Sequence, residues 1–154
     1  HPLTLHTSHF TLLCFPPFSH FFPLSFSMSG IQKPAPAFSG DAVMPNGEFA
    51  VISNETFAGK YYVVVFIPLA FTFVCPSEVT AFSDRVEEFR ANNCEVVFVS
   101  VDSKFSLLAW TEKSRAEGGV DRLNLPLVSD LTHKISRDFG VLLEDGPDAG
   151  VALR

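Results

Sequence analysis

The run from Tyr61 to Ile67, Tyr-Tyr-Val-Val-Val-Phe-Ile, is β-branched, aromatic and uncharged, which predicts a strand covered on both faces of a sheet. Pro68 ends it. Beyond a short loop, apolar residues recur at Val79, Phe82, Val86 and Phe89, the spacing of one helical face, with Ser83, Asp84, Arg85, Glu87 and Glu88 mostly between them. The predicted helix holds Cys75 in its first turn, where Pro76 loses no helical hydrogen bond. A second apolar run, Glu95 to Val101, completes a βαβ unit with parallel strands and a right-handed crossover.

Around this unit the pattern is more broken. Pro34 and Pro36 lead in extended form to Phe38, and Met44-Pro-Asn-Gly47 is a turn before a short strand over Glu48–Ile52, a hairpin-like start. Ser103 to Ala116 reads as a helix carrying Phe105, Leu108 and Trp110, ended by Gly118-Gly119. Leu123 to Val128 is apolar but interrupted by Pro126, which predicts an edge strand or a loop. Asp130 to Phe139 reads as a short helix with Gly140 as its cap, and Val141–Leu143 is a candidate strand. Residues 144–150 are turn-rich, and Val151–Arg154 reads as the opening of a further strand. The fold class is α/β, with no internal repeat.

Residues 1–27 differ from the rest. They are rich in Phe, Pro, Ser and His, carry no Asp, Glu, Lys or Arg, and are interrupted by Pro16, Pro17 and Pro23. A signal peptide would want a basic start and an unbroken apolar core, a membrane span the same continuity, and an organelle-targeting segment arginines. The expectation is that Met28 is the biological start, with 1–27 a disordered or artefactual extension and 28–154 one domain.

A chain of 154 residues can bury one real core. Its net charge of −6, without a Lys/Arg cluster, argues against nucleic acid or an anionic membrane as partner. Cys14, Cys75 and Cys94 form no paired framework and have neither C-x-x-C nor zinc-ligand spacing, so a reducing compartment, the cytoplasm, is expected. His6, His9, His20 and His133 lack the neighbours of a metal helix, and no metal site or cofactor is expected.

Cys75 carries the candidate chemistry. At a helix start, unpaired backbone N–H groups and the positive end of the helix dipole favour a thiolate over a thiol, and the thiolate is the nucleophile. The alternative is a buried, inert core thiol.

Lys33-Pro-Ala-Pro-Ala-Phe38, Gly59-Lys-Tyr-Tyr-Val-Val-Val, Pro68-Leu-Ala-Phe-Thr-Phe-Val-Cys75-Pro, Ala81-Phe-Ser-Asp-Arg85, Cys94-Glu-Val, Val99-Ser-Val-Asp-Ser103 and Leu108-Ala-Trp110 together resemble the typical two-cysteine peroxiredoxins. The resemblance runs in order from about Gln32 to Arg154. It implies a thioredoxin-like fold with a central mixed sheet flanked by helices, and a thiol peroxidase that reduces hydrogen peroxide and organic hydroperoxides without metal or flavin. It assigns Cys75 as the peroxidatic cysteine, Pro68 as the proline shielding it, Thr72 as the hydroxyl that hydrogen-bonds thiolate and peroxide, and Arg154 as the distant arginine. Glu78 matches the glutamate that holds active-site arginines. Two of these have ordinary explanations as well: Thr72 as a helix N-cap and Glu78 as a dipole-stabilising residue. Cys94 matches a core thiol, and Trp110 reads as packing.

The chain departs from the family where Ile67 replaces a Tyr and Ala70 an Asp, and where Gly118-Gly-Val-Asp121 replaces Gly-Gly-Leu-Gly. The family's C-terminal third, with its Val-Cys-Pro resolving cysteine, has no match here, so the chain is expected to be a C-terminally incomplete piece of a longer protein. Implied partners are a peroxide substrate, thioredoxin or another thiol reductant, and further copies as a homodimer or decamer of the full-length protein. The competing function is an inactive or single-turnover fragment acting as a redox sensor, chaperone-like holdase or interaction module. A thioredoxin-like disulfide oxidoreductase is disfavoured, because Cys75-Pro-Ser-Glu78 lacks the vicinal second cysteine.

Overall fold

The computed structural model describes residues 34–154; the expectations for residues 1–27, for Met28 and for Cys14 lie outside the described residues. Strands β1 (Ser39–Val43) and β2 (Phe49–Ser53) form an antiparallel hairpin with Val43 opposite Phe49. Its turn is closed by Met44 N–H to the Glu48 carbonyl at 2.9 Å and Gly47 N–H to the Met44 carbonyl at 2.8 Å. Gly47 takes φ +82°, which a residue without Cβ adopts freely. The pattern predicts β2 one residue early and only an extended lead-in before it. Ser39–Val43 becomes a strand because it is paired on both sides, a tertiary event its own composition does not signal.

Strand β3 (Tyr61–Ile67) lies where the apolar run predicts it, and pairs in parallel with β4 (Cys94–Ser100), Tyr61 opposite Cys94 and Ile67 opposite Ser100. Strand β5 (Leu127–Ser129) runs parallel to β4 and antiparallel to β1, giving a mixed sheet of order β2-β1-β5-β4-β3. Two expectations change here, the first in part. Residues 123–126 are loop, but Leu127 and Val128 open β5 at the sheet centre rather than at an edge, because Pro126 precedes the strand and serves as an acceptor, its carbonyl taking the Phe98 N–H at 3.2 Å. Conversely β3 is an edge of the described sheet, and its first half is open, with Tyr61 and Val63 exposed where helix packing falls on β4 instead.

The Val79–Phe89 face forms as two helices, α1 (Cys75–Asp84) and α2 (Val86–Arg90), with Arg85 leaving helical geometry between them. Val79 and Val86 are buried, and Phe82 and Phe89 stack at 5.7 Å against the core. Helix α3 (Lys104–Glu112) is shorter than the predicted Ser103–Ala116. Ser103 is its N-cap, accepting the Ser106 N–H at 3.1 Å. The chain breaks after Glu112 and makes a 3-10 turn over Arg115–Glu117, which Gly118 caps at φ +80°. Helix α4 (Lys134–Asp138) is likewise shorter than Asp130–Phe139, because Asp130 stands outside as a capping group. Leu142 and Ala152 form an isolated antiparallel bridge, so the candidate strands at 141–143 and 151–154 meet as a short hairpin.

Because successive strand residues point to opposite faces, β4 divides its side chains between two cores. Val96 and Phe98 join the cluster under α1, α2 and α3, with Ile67, Cys75, Val79, Leu107 and Trp110. Val97 and Val99 join the cluster on the other face, with Phe38, Phe57, Phe66, Ile135 and Ala152. The sheet is therefore covered by helices on one side and by α4 and the C-terminal hairpin on the other.

Candidate active site

Four local features deliver Cys75. The β3–β4 ladder ends at Ile67 opposite Ser100, and Pro68, without an N–H, turns the chain out of the sheet. In the loop that follows, the Ala70 N–H donates to Asp102 Oδ2 at 2.7 Å, and the Thr72 hydroxyl donates to the Leu69 carbonyl at 3.1 Å. Phe71 sits in the left-handed region at φ 58°, a conformation that costs a bulky residue free energy, with its ring 6.3 Å from that of Trp110. Cys75 is then the first residue of α1, with Val74 as an N-cap that offers no side-chain hydrogen bond and Pro76 at the next position.

Cys75 is fully buried, in the cluster that also holds Ile67 and Ala70. Burial disfavours a charged sulfur unless donors are aimed at it. One is: Arg154 Nη2 donates to Cys75 Sγ at 3.3 Å, across 79 residues of sequence. The same guanidinium donates through Nε to Glu78 Oε2 at 2.9 Å. These two hydrogen bonds, to Cys75 first and Glu78 second, push the guanidinium above its ordinary value, so it stays charged. Glu78 lies in the first turn of α1, where the helix dipole also favours a carboxylate.

Arg154 reaches this position through the hairpin. Leu143 N–H meets the Val151 carbonyl at 2.9 Å, Leu153 N–H meets the Val141 carbonyl at 2.7 Å, and Ala152 is buried in the core. The structure thus brings together Cys75, Glu78 and Arg154. Thr72 and Pro68 stand on the same loop, both half-buried, with the Thr72 proton directed at Leu69 rather than at sulfur. Thr72 is not the N-cap of α1, since the chain travels two more residues before the helix begins.

Trp110 is packing: it is fully buried and its indole N–H donates to the Gly118 carbonyl at 3.1 Å. Cys94 opens β4 half-buried, its Sγ 3.6 Å from the Glu95 carbonyl. Among the described residues no group of three or more His, Cys, Asp or Glu could hold a metal ion, and no helix is long and apolar enough to cross a membrane. Sequence reasoning missed Asp102, which lies at the C-terminal end of the parallel strand β4; that position, where open α/β sheets build their sites, was the available signal.

The profile described as the AhpC/TSA family matches residues 31–154. The chain belongs to that family. It is 55% identical over 130 residues to the thioredoxin-dependent peroxide reductase, mitochondrial, of Rattus norvegicus, covering 84% of this chain and 49% of that one. It is 55% identical over 131 residues to the peroxiredoxin of Cynops pyrrhogaster, covering 85% of this chain and 64% of that one. The chain therefore spans about half the length of the rat relative and under two thirds of the newt one. Among solved structures, the reduced 2-Cys peroxiredoxin of Plasmodium vivax superposes with a TM-score of 0.74 at 40% identity, over 79% of this chain and 62% of that one. The mixed sheet with flanking helices is thus the thioredoxin-like fold that the sequence resemblance implies.

Proposed function

We propose that this chain is the peroxide-reacting part of a thiol-dependent peroxidase acting on hydrogen peroxide and organic hydroperoxides, with Cys75 as the nucleophile. The single observation that carries this reading is the Arg154 guanidinium shared between Cys75 Sγ and Glu78. In the reaction the thiolate attacks one peroxide oxygen, a sulfur–oxygen bond forms and the O–O bond breaks. The other oxygen leaves with the bonding pair and takes a proton, giving water or an alcohol, and Cys75 becomes a sulfenic acid. Charge moves from sulfur along the O–O axis, and Arg154, which already faces the sulfur, is suited to follow it. As the family resemblance implies, Thr72 is proposed to turn its hydroxyl from the Leu69 carbonyl to the peroxide and Pro68 to shield the thiol.

Turnover then needs a second thiol, which we assign to thioredoxin or another thiol reductant, in keeping with the printed name of the rat relative. The full-length protein is proposed to assemble as a homodimer or decamer, and its compartment to be the cytoplasm. Cell fractionation decides that last point against a mitochondrial site such as the rat relative's name gives.

Stopped-flow mixing of the reduced 154-residue chain with hydrogen peroxide, with intact mass following the product, tests the reading. A fast burst that adds one oxygen and disappears in Cys75→Ser supports it. A rate equal to that of a free thiol in folded protein rejects it in favour of an inactive or sensing fragment.

A further inference from the structure

The active-site loop between Pro68 and Val74 carries Thr72 and ends on Cys75, yet it includes a strained Phe71 and four exposed or rim-facing apolar side chains, Leu69, Phe71, Phe73 and Val74. Such a segment gains little from its own packing, so something must hold it. The hold comes from outside, 32 residues along the chain, through the Ala70 N–H and Asp102 Oδ2 at 2.7 Å.

The Asp102 carboxylate is itself fixed. The Ser100 hydroxyl, on β4 and 1% exposed, donates to the same Oδ2 at 2.6 Å. The Ser129 hydroxyl, on β5, donates to the Asp102 main-chain carbonyl at 2.7 Å, and the Asp130 N–H reaches the Ser100 carbonyl at 2.7 Å. The two central parallel strands therefore clamp Asp102 at their C-terminal ends, and Asp102 passes that rigidity to the loop. A charged acceptor makes the stronger kind of hydrogen bond to a backbone N–H. Ala70 itself is buried in the cluster that holds Cys75, so the anchored residue and the thiol share one packing environment.

We propose that Asp102 is a positioning residue for the Cys75 reaction: by anchoring Ala70 to the ends of β4 and β5, it sets the loop that aims Cys75 and Thr72. This rests on the peroxidase reading above. Asp102 makes no contact with the reacting atoms and acts only through the loop.

The test compares Asp102→Ala and Asp102→Asn with the parent chain in peroxide stopped flow and in the emission of Trp110, the single tryptophan of the chain, whose ring faces Phe71. Asp102→Ala is expected to slow the Cys75 burst by about tenfold or more, as small misplacements of reacting groups do, and to shift the Trp110 emission. Asp102→Asn keeps an acceptor oxygen for Ala70 and is expected to recover most of the rate and the parent emission. Ser100→Ala, which leaves the carboxylate in place but less held, is expected to fall between, and stands in if Asp102→Ala does not fold. Parent-like rates in Asp102→Ala, or in Ser100→Ala where Asp102→Ala does not fold, overturn the proposal. So does an Asp102→Asn rate as low as that of Asp102→Ala, which would assign the effect to charge. If the parent chain shows no Cys75-dependent burst, the peroxidase reading fails by itself, while an unchanged Trp110 emission in Asp102→Ala would still reject the anchor.

Discussion

A guanidinium with one N–H on sulfur and another on a carboxylate has its plane and position set by both partners, which is how Glu78 acts on Cys75 without touching it. Replacing Arg154 by Ala removes the donor that faces the thiol, and loss of one such preorganised donor costs on the order of 10²-fold in rate. Glu78→Gln leaves Arg154 present but less firmly aimed, and a smaller loss is expected, which the same stopped-flow measurement would rank. A second residue-scale prediction lies on the other face. The Ser136 hydroxyl is fully buried and has no hydrogen-bond partner among the described residues. Ser136→Ala removes an unpaired polar atom at little cost in volume and should raise stability by roughly 1 kcal/mol, read as a higher urea midpoint at constant slope.

At the scale of elements, the short α4 depends on one side chain. Asp130, 2% exposed, accepts the Ile135 N–H through Oδ1 at 2.9 Å and the Ser136 N–H through Oδ2 at 2.7 Å. A five-residue helix cannot be stable by propensity, so its first-turn donors are paid attention by this cap and its face by Ile135 in the core. Asp130→Ala strands two buried N–H groups and should destabilise the chain by roughly 2–3 kcal/mol, with Asp130→Asn losing less; chemical denaturation checks both. The same scale explains the sequence's misjudged boundaries. Asp130 and Ser103 have the composition of helix starts, and only the hydrogen bonds separate a cap from a first turn. The predicted helix through Phe89 has the right buried face but not the break at Arg85, which periodicity does not register because Val86 keeps the spacing.

For the molecule as a whole, the open end of the β3–β4 pair is pinned by charge. Glu95 on β4 meets Lys60 at 2.8 Å and Arg90, the last residue of α2, at 3.3 Å. The Lys60 hydrogen bond first, then that of Arg90, holds the Glu95 carboxyl below the ordinary glutamate range against an opposing effect of burial. A depressed folded value stabilises the fold above the unfolded value and loses that contribution as pH falls through the folded one. Since the groups are partly exposed, the effect is about 0.5–1 kcal/mol and weakens with salt. Glu95→Gln should therefore lower the urea midpoint at neutral pH, and the gap to the parent should close in acid. A gap independent of pH would show that the carboxylate's charge is not what matters.

The sequence by itself determined the βαβ unit and the place of Cys75, the proposed nucleophile. An uncharged β-branched run, a proline stop and a helical face are local patterns, and they put Cys75 at a helix start whatever else the chain does. The family motifs added Arg154 and Glu78 by resemblance, but no spacing along the chain foretells that a guanidinium will meet a thiol 79 residues away. Only the tertiary structure decided that meeting, along with the central position of β5, the edge position of β3 and the anchoring of Ala70 by Asp102. Each depends on pairing between distant segments, where hydrogen-bond ladders and shared burial select among arrangements that the local sequence leaves equally open.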